Sequence, residues 1–218
     1  MVQGRQPTGE GGWRMKLFIV FAVTFLTLLE AGSFRSPVAQ PKWVDMNHEE
    51  ALKEARRLAD ELGDKIRGLL FQELQRGGPA SAVRVCSEVA QEITREFNRH
   101  TGHHARRVSA RVRNPQNLPD GYERHVLARM EMEIRQKQLA KEYIAVIDEE
   151  NEKVLRYMRP LMVAPLCLNC HGPKETMTPE VKRMLAERYP EDQATGFQDG
   201  DLRGAISVKI SLKSKQTR

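Results

Sequence analysis

Cys167-Leu168-Asn169-Cys170-His171 places two thiols two residues apart with an imidazole directly after the second. That spacing suits one chemistry well. Two cysteines so placed can reach the two vinyl groups on one edge of a porphyrin and form thioethers. The adjoining histidine then lies beneath the iron and supplies an axial nitrogen. Gly172-Pro173 follows at once and gives the tight exit that a bulky macrocycle requires.

Rival chemistries fit less well. A zinc knuckle needs a second ligand pair at matched spacing. The chain has only one further cysteine, Cys86, and the adjacent His103 and His104 cannot readily chelate one ion together. A thioredoxin-like pair would open a helix after a strand and has no need of the histidine. A disulfide between Cys167 and Cys170 would close a very short loop and stabilise little. One covalently attached haem c is therefore the expected cofactor, held by Cys167, Cys170 and His171.

The donor on the other side of the iron is open at this level. Cys86, Met130, Met158, Met162, His100, His103, His104 and His125 are all candidates, as is no residue at all. Methionines on apolar stripes are usually core filling. Cys86 falls on the stripe formed by Val83, Val89, Ala90, Ile93 and Phe97, which directs it into the core or a pocket. Haem propionates call for cationic partners. Arg111, Arg113 and Arg203 are the candidates, the first two on one face of an expected strand and the third just after a Gly-Asp turn. Asn114 and Asn117 read as turn formers, and Asp192 and Asp201 as shapers of a late loop.

These residues need elements to hold them. A long first helix is expected over about Asn47–Gln75, from Leu52, Ala55, Leu58, Ala59, Leu62, Ile66, Leu69, Leu70 and Leu74 at helical spacing. Gly77-Gly78-Pro79 ends it. A second helix spans about Pro79–Arg99 and closes at Thr101-Gly102. Val108, Ala110 and Val112 alternate with polar residues, which predicts a strand. A third helix runs over about Tyr122–Lys137. Two strands, Lys141–Ile147 and Lys153–Val163, share a polar connection. Thr178-Pro179 starts a short helix, and Arg203–Leu212 is a last strand. The fold class is α+β, an antiparallel sheet flanked by helices behind a long N-terminal helix.

Composition narrows the function class. The chain has 218 residues, a net charge of +6 and 6% aromatic residues. That surplus is too diffuse, and the aromatics too few, for a nucleic-acid surface. Leu17 to Leu29 is uncharged but shorter than the roughly 20 residues that span a bilayer. With Arg14 and Lys16 before it and Ala31-Gly32-Ser33 after it, the segment reads as an export signal over 1–33. The alternative is an uncleaved anchor, the one route to a membrane. Met15 could replace Met1 as the start. Residues 34–46 form a linker and 47–218 the domain. The expected location is the periplasm.

The stretches Ala82–Cys86, Ser109–Pro119, Arg156–Pro160, Cys167–Gly172, Tyr189–Gly196 and Gly200–Ala205 together resemble the bacterial c-type haem sensor domains with a PAS-like fold. The likeness covers about residues 48–212. It implies His171 as one axial ligand and Cys86 as the other. It also implies a stand-alone exported domain that responds to redox state or to a diatomic gas, since no kinase, cyclase or chemotaxis module follows. A periplasmic electron carrier is the alternative. A peroxidase-like enzyme would need an open iron site and a distal acid–base residue, and no spacing singles out His125 for that role, so no enzymatic activity is expected. The expected partners are the haem, a redox or signalling protein, and a second copy in a weak homodimer through the first helix.

Overall fold

The computed structural model describes residues 47–150 and 152–212. The export signal over 1–33 and the linker over 34–46 lie outside the described residues. Helix α1, His48–Glu88, opens with a reciprocal cap: Asn47 accepts from the Glu50 amide and the Glu50 carboxylate accepts from the Asn47 amide. Ala51, Ala55, Leu58, Ala59 and Leu62 are fully buried at helical spacing. They pack on Leu155, Tyr157, Ile206, Val208 and Ile210 of the sheet. The helix is kinked at Gly78, whose φ of 67° is left-handed, with Pro79 following. The break expected at Gly77-Gly78-Pro79 is therefore present, as a kink inside a longer helix. Beyond it the helix reaches Glu88, and α2, Ala90–Thr101, continues after Val89. Gly102, at φ 72°, caps α2.

Strand β1, His104–Val108, is followed by α3, Gly121–Arg135, then by the hairpin of β2, Tyr143–Glu149, and β3, Glu152–Met162. A single helical turn, α4, Leu168–His171, precedes α5, Pro179–Arg188, and β4, Leu202–Leu212, ends the described fold. The sheet is antiparallel throughout, in the order β1-β4-β3-β2. Helices α1 and α2 cover one face. Helix α3 covers the other with Val126, Leu127 and Met130 against Tyr143, Met158 and Ala205. The α+β architecture expected from the sequence, long first helix included, is the one observed.

One strand differs from expectation. Pairing of β1 stops at Val108, so the expected strand alternation from Ser109 to Arg113 lies outside the sheet. The Ser109 amide donates to the Asn117 carbonyl at 3.2 Å, and the Val112 carbonyl accepts from the Gln193 amide at 2.9 Å. Beyond Val108 the alternation is not realised as two faces: Ala110 is exposed while Ser109 and Val112 are buried. Arg111 and Arg113 consequently share no strand face.

Gly204 shows how closely this end of the sheet is packed. Its φ is 155°, and a Cβ there would lie 2.2 Å from the Val108 carbonyl oxygen. No residue with a side chain fits.

Candidate functional site

Cys167, Cys170 and His171 sit on two tight turns in succession, a 3-10 turn over Pro165–Cys167 and α4. The turns close through Cys167 N–H to the Ala164 carbonyl at 2.8 Å and Gly172 N–H to the Leu168 carbonyl at 2.9 Å. A Cβ on Gly172 would meet the Leu168 carbonyl oxygen at 2.7 Å, so glycine is required here by close approach.

The late loop pins this segment. Gly196 N–H donates to the Gly172 carbonyl at 2.7 Å and Phe197 N–H to the His171 carbonyl at 2.9 Å. Arg113 bridges the two segments. It donates to the Cys170 and Ala194 carbonyls and ion-pairs with Asp192 at 3.0 Å. Asp192 in turn accepts from the Ala194 amide at 2.8 Å. Asp201 accepts from the Gln198 amide at 2.7 Å. The two aspartates thus shape the loop, as their sequence context suggested.

His171 Nδ1 lies 2.7 Å from the Ala194 carbonyl oxygen. A carbonyl only accepts, so Nδ1 carries the proton and Nε2 keeps its lone pair. Burial, with Arg113 and Arg203 nearby, pushes the His171 pKa well below the usual histidine range and holds the ring neutral. Burial raises the Cys170 thiol to about 11. It also raises Cys86, against the opposing charges of Arg107, Arg113 and Arg203.

The cysteines and His171 open onto one cleft of about 180 Å3 between α1 and the β1–β4 end of the sheet. Ile66, Leu70, Leu74, Val83, Leu161 and Leu166 give it apolar walls. Cys86, Cys167, Cys170, His171, Arg113 and Arg203 all line it, and the three cysteines are free thiols.

Other candidate donors lie elsewhere. Met130 and Met158 are buried in the core under α3. Met162 is exposed and does not line the cleft. His103 faces Glu54 at 3.9 Å, and His100, His104 and His125 are exposed. Arg111 does not line the cleft. It braces the late loop, donating to the Gln193 and Thr195 carbonyls and stacking 3.9 Å over the Phe197 ring. Asn114 caps a 3-10 turn by accepting from Gln116 at 2.9 Å.

Two lining residues escaped the sequence reading. Tyr189 is buried in the cluster around Cys170 and lies near Cys86. Arg107 falls on β1 in the polar run His104-Ala105-Arg106-Arg107, which looks like an exposed edge. Its two-residue spacing from buried Ala105, which puts both on one face of the strand, was the available signal.

The residues present fit a porphyrin. The wall is apolar, two thiols stand at the right spacing, and a neutral imidazole has its second nitrogen fixed. The buried Nε atoms of Arg107 and Arg203 have no hydrogen-bond partner. Buried donors in that state call for an acceptor that protein atoms do not supply. Among the described residues no group of three or more His, Cys, Asp or Glu side chains could hold a metal ion unaided.

Fold and cleft together define an α+β domain with one apolar-walled cleft lined by cysteines, a histidine and arginines. Residues 44–211 match the Tll0287-like family (Tll0287), and the chain belongs to that family. The crystal structure of the cyanobacterial heme-protein Tll0287 is similar, with a TM-score of 0.59 and 25% sequence identity, over 78% of this chain and 99% of that one. The comparison with curated proteins gives no match.

Proposed function

We propose that this chain is an exported, mono-haem c-type domain that responds to redox state or to a diatomic gas. Cys167 and Cys170 attach the cofactor, and His171 and Cys86 are its two axial donors. The observation that carries the reading is the His171 Nδ1 contact with Ala194 at 2.7 Å, which leaves Nε2 as a donor in the same cleft as Cys86. The heme-protein Tll0287, alike over nearly its whole length, supports the choice of cofactor. The apolar run at Leu17–Leu29 supports export.

Bound haem supplies an iron that changes oxidation state and accepts small ligands. The chain's own residues hold the two donors unequally. His171 is fixed through its ring, its carbonyl and both flanking turns. Among the described residues no hydrogen bond holds the Cys86 thiol, which stands on the part of α1 beyond the Gly78 kink. A donor so loosely held can be exchanged, which favours a responsive domain over an electron carrier with two fixed ligands. The domain acts by binding and through a redox or signalling partner. No residue is assigned a catalytic role.

Haem staining of the purified exported protein after denaturing electrophoresis tests the attachment. Ferric and ferrous spectra of wild type and Cys86→Ala test the ligation. Loss of the low-spin ferric spectrum in Cys86→Ala is expected. Identical ferric spectra would exclude the thiolate. Rapid CO or NO binding by the ferrous protein is expected. Its absence, with reversible one-electron titration, would identify a carrier.

A further inference from the structure

The cleft contains more positive charge than its own carboxylates balance. Arg107, Arg113 and Arg203 all line it. Asp192 pairs with Arg113. Among the described residues neither Arg107 nor Arg203 has a carboxylate within ion-pair distance. Arg203 donates to Ser109 Oγ at 2.8 Å and to the Arg111 carbonyl at 3.2 Å, which leaves its Nε unpaired. The Arg107 guanidinium makes no hydrogen bond among the described residues, and its Nε is buried.

Burial without a counter-charge is costly. Burial, with Arg113 and Arg107 nearby, lowers Arg203 to about 10, and burial lowers Arg107 from its ordinary value. Both reach the same cleft. Arg107 pairs with Ile206 across β1 and β4, and Ile206 packs toward α1. Arg203 sits at the start of the same β4 strand, beside the Gly204 that lets β1 and β4 close up.

We propose that Arg107, together with Arg203, is the counter-charge for the two carboxylates of the porphyrin, so that the cleft selects a dianionic porphyrin over a neutral one. This rests on the reading of the cleft as a porphyrin site. It adds Arg107 as a specificity-determining residue and assigns Arg111 and Arg113 to the protein's own framework. Arg111 is spent on the late loop and Arg113 on Asp192 and two carbonyls, so neither has a free fork for a ligand carboxylate.

The test uses the full chain carrying Cys167→Ala and Cys170→Ala, so that porphyrin binds reversibly. Ferric haem and its dimethyl ester are titrated into this parent and into Arg107→Gln and Arg107→Lys. The parent is expected to prefer haem over the ester. Arg107→Gln should weaken haem binding by about tenfold or more while leaving the ester within about twofold, and Arg107→Lys should recover most of the loss. Equal weakening of both ligands, or of neither, overturns the proposal. If Arg107→Gln does not fold, the parent decides alone, because a haem-to-ester ratio near one overturns it. Failure of the parent to bind either porphyrin overturns the porphyrin reading itself, which separates the two outcomes.

Discussion

Arg113 and Asp192 form an ion pair at 3.0 Å with side chains only 9% and 8% exposed, and the same guanidinium reaches the carbonyl of Cys170. One buried pair thus ties the loop after β1, the cysteine turn and the late loop to each other. Removing one partner strands the other charge. Asp192→Ala is expected to cost about 3–5 kcal/mol. The check is the shift in thermal or urea midpoint, with a matching fall in the fraction of chains that carry haem.

Gly172 is expected to resist even the smallest side chain. Its missing Cβ would press on the Leu168 carbonyl at 2.7 Å, a backbone atom that cannot swing aside. Gly172→Ala should lose about 1–3 kcal/mol and should displace the His171 carbonyl from Phe197 N–H. Chemical denaturation and haem content per chain measure both effects.

Acid should loosen the face of the sheet opposite the cleft. Arg156 is buried and pairs with Asp120 and Glu149, and Arg106 pairs with Glu123. Burial alone would raise Asp120 and Glu149. The bonds from the Glu123 amide and Arg156 outweigh it at Asp120, and those from Lys209 and Arg156 outweigh it at Glu149, so both carboxyls fall below 3.8 and 4.5. A carboxylate lowered on folding contributes stability above its unfolded value and loses it as pH falls through the folded one. Melting temperature should therefore hold steady above about pH 5 and drop below about pH 4.5. In Arg156→Met that drop should be shallower, and an unchanged slope would contradict the assignment.

Tyr189 offers a control for the ligation. It lines the cleft near Cys86 and has a coordinating oxygen. Tyr189→Phe should leave the ferric spectrum unchanged, whereas Cys86→Ala should alter it. A changed spectrum in Tyr189→Phe alone would move the second donor from the thiol to the phenol.

The sequence alone determined the cysteine turn and most of the frame. Cys167-x-x-Cys170-His171 is legible because two thiols and an imidazole at fixed spacing fall on two successive local turns. The apolar periodicity of α1, the Gly-Pro break and the alternation of β4 are local too, since each follows from burying one face of a regular element. Longer-range facts were hidden. That Arg113 clamps the turn while Arg111 braces the loop depends on where the late loop returns, which no local pattern encodes. That Arg107 is half-buried, with its Nε out of solvent, depends on α1 lying over β1, for an arginine in a polar run reads as solvated until another element covers it. Tertiary packing also placed Cys86 in the cleft with Cys170 and His171 and left the other candidate methionines and histidines outside it, because residue type alone does not decide which side chains share a cleft.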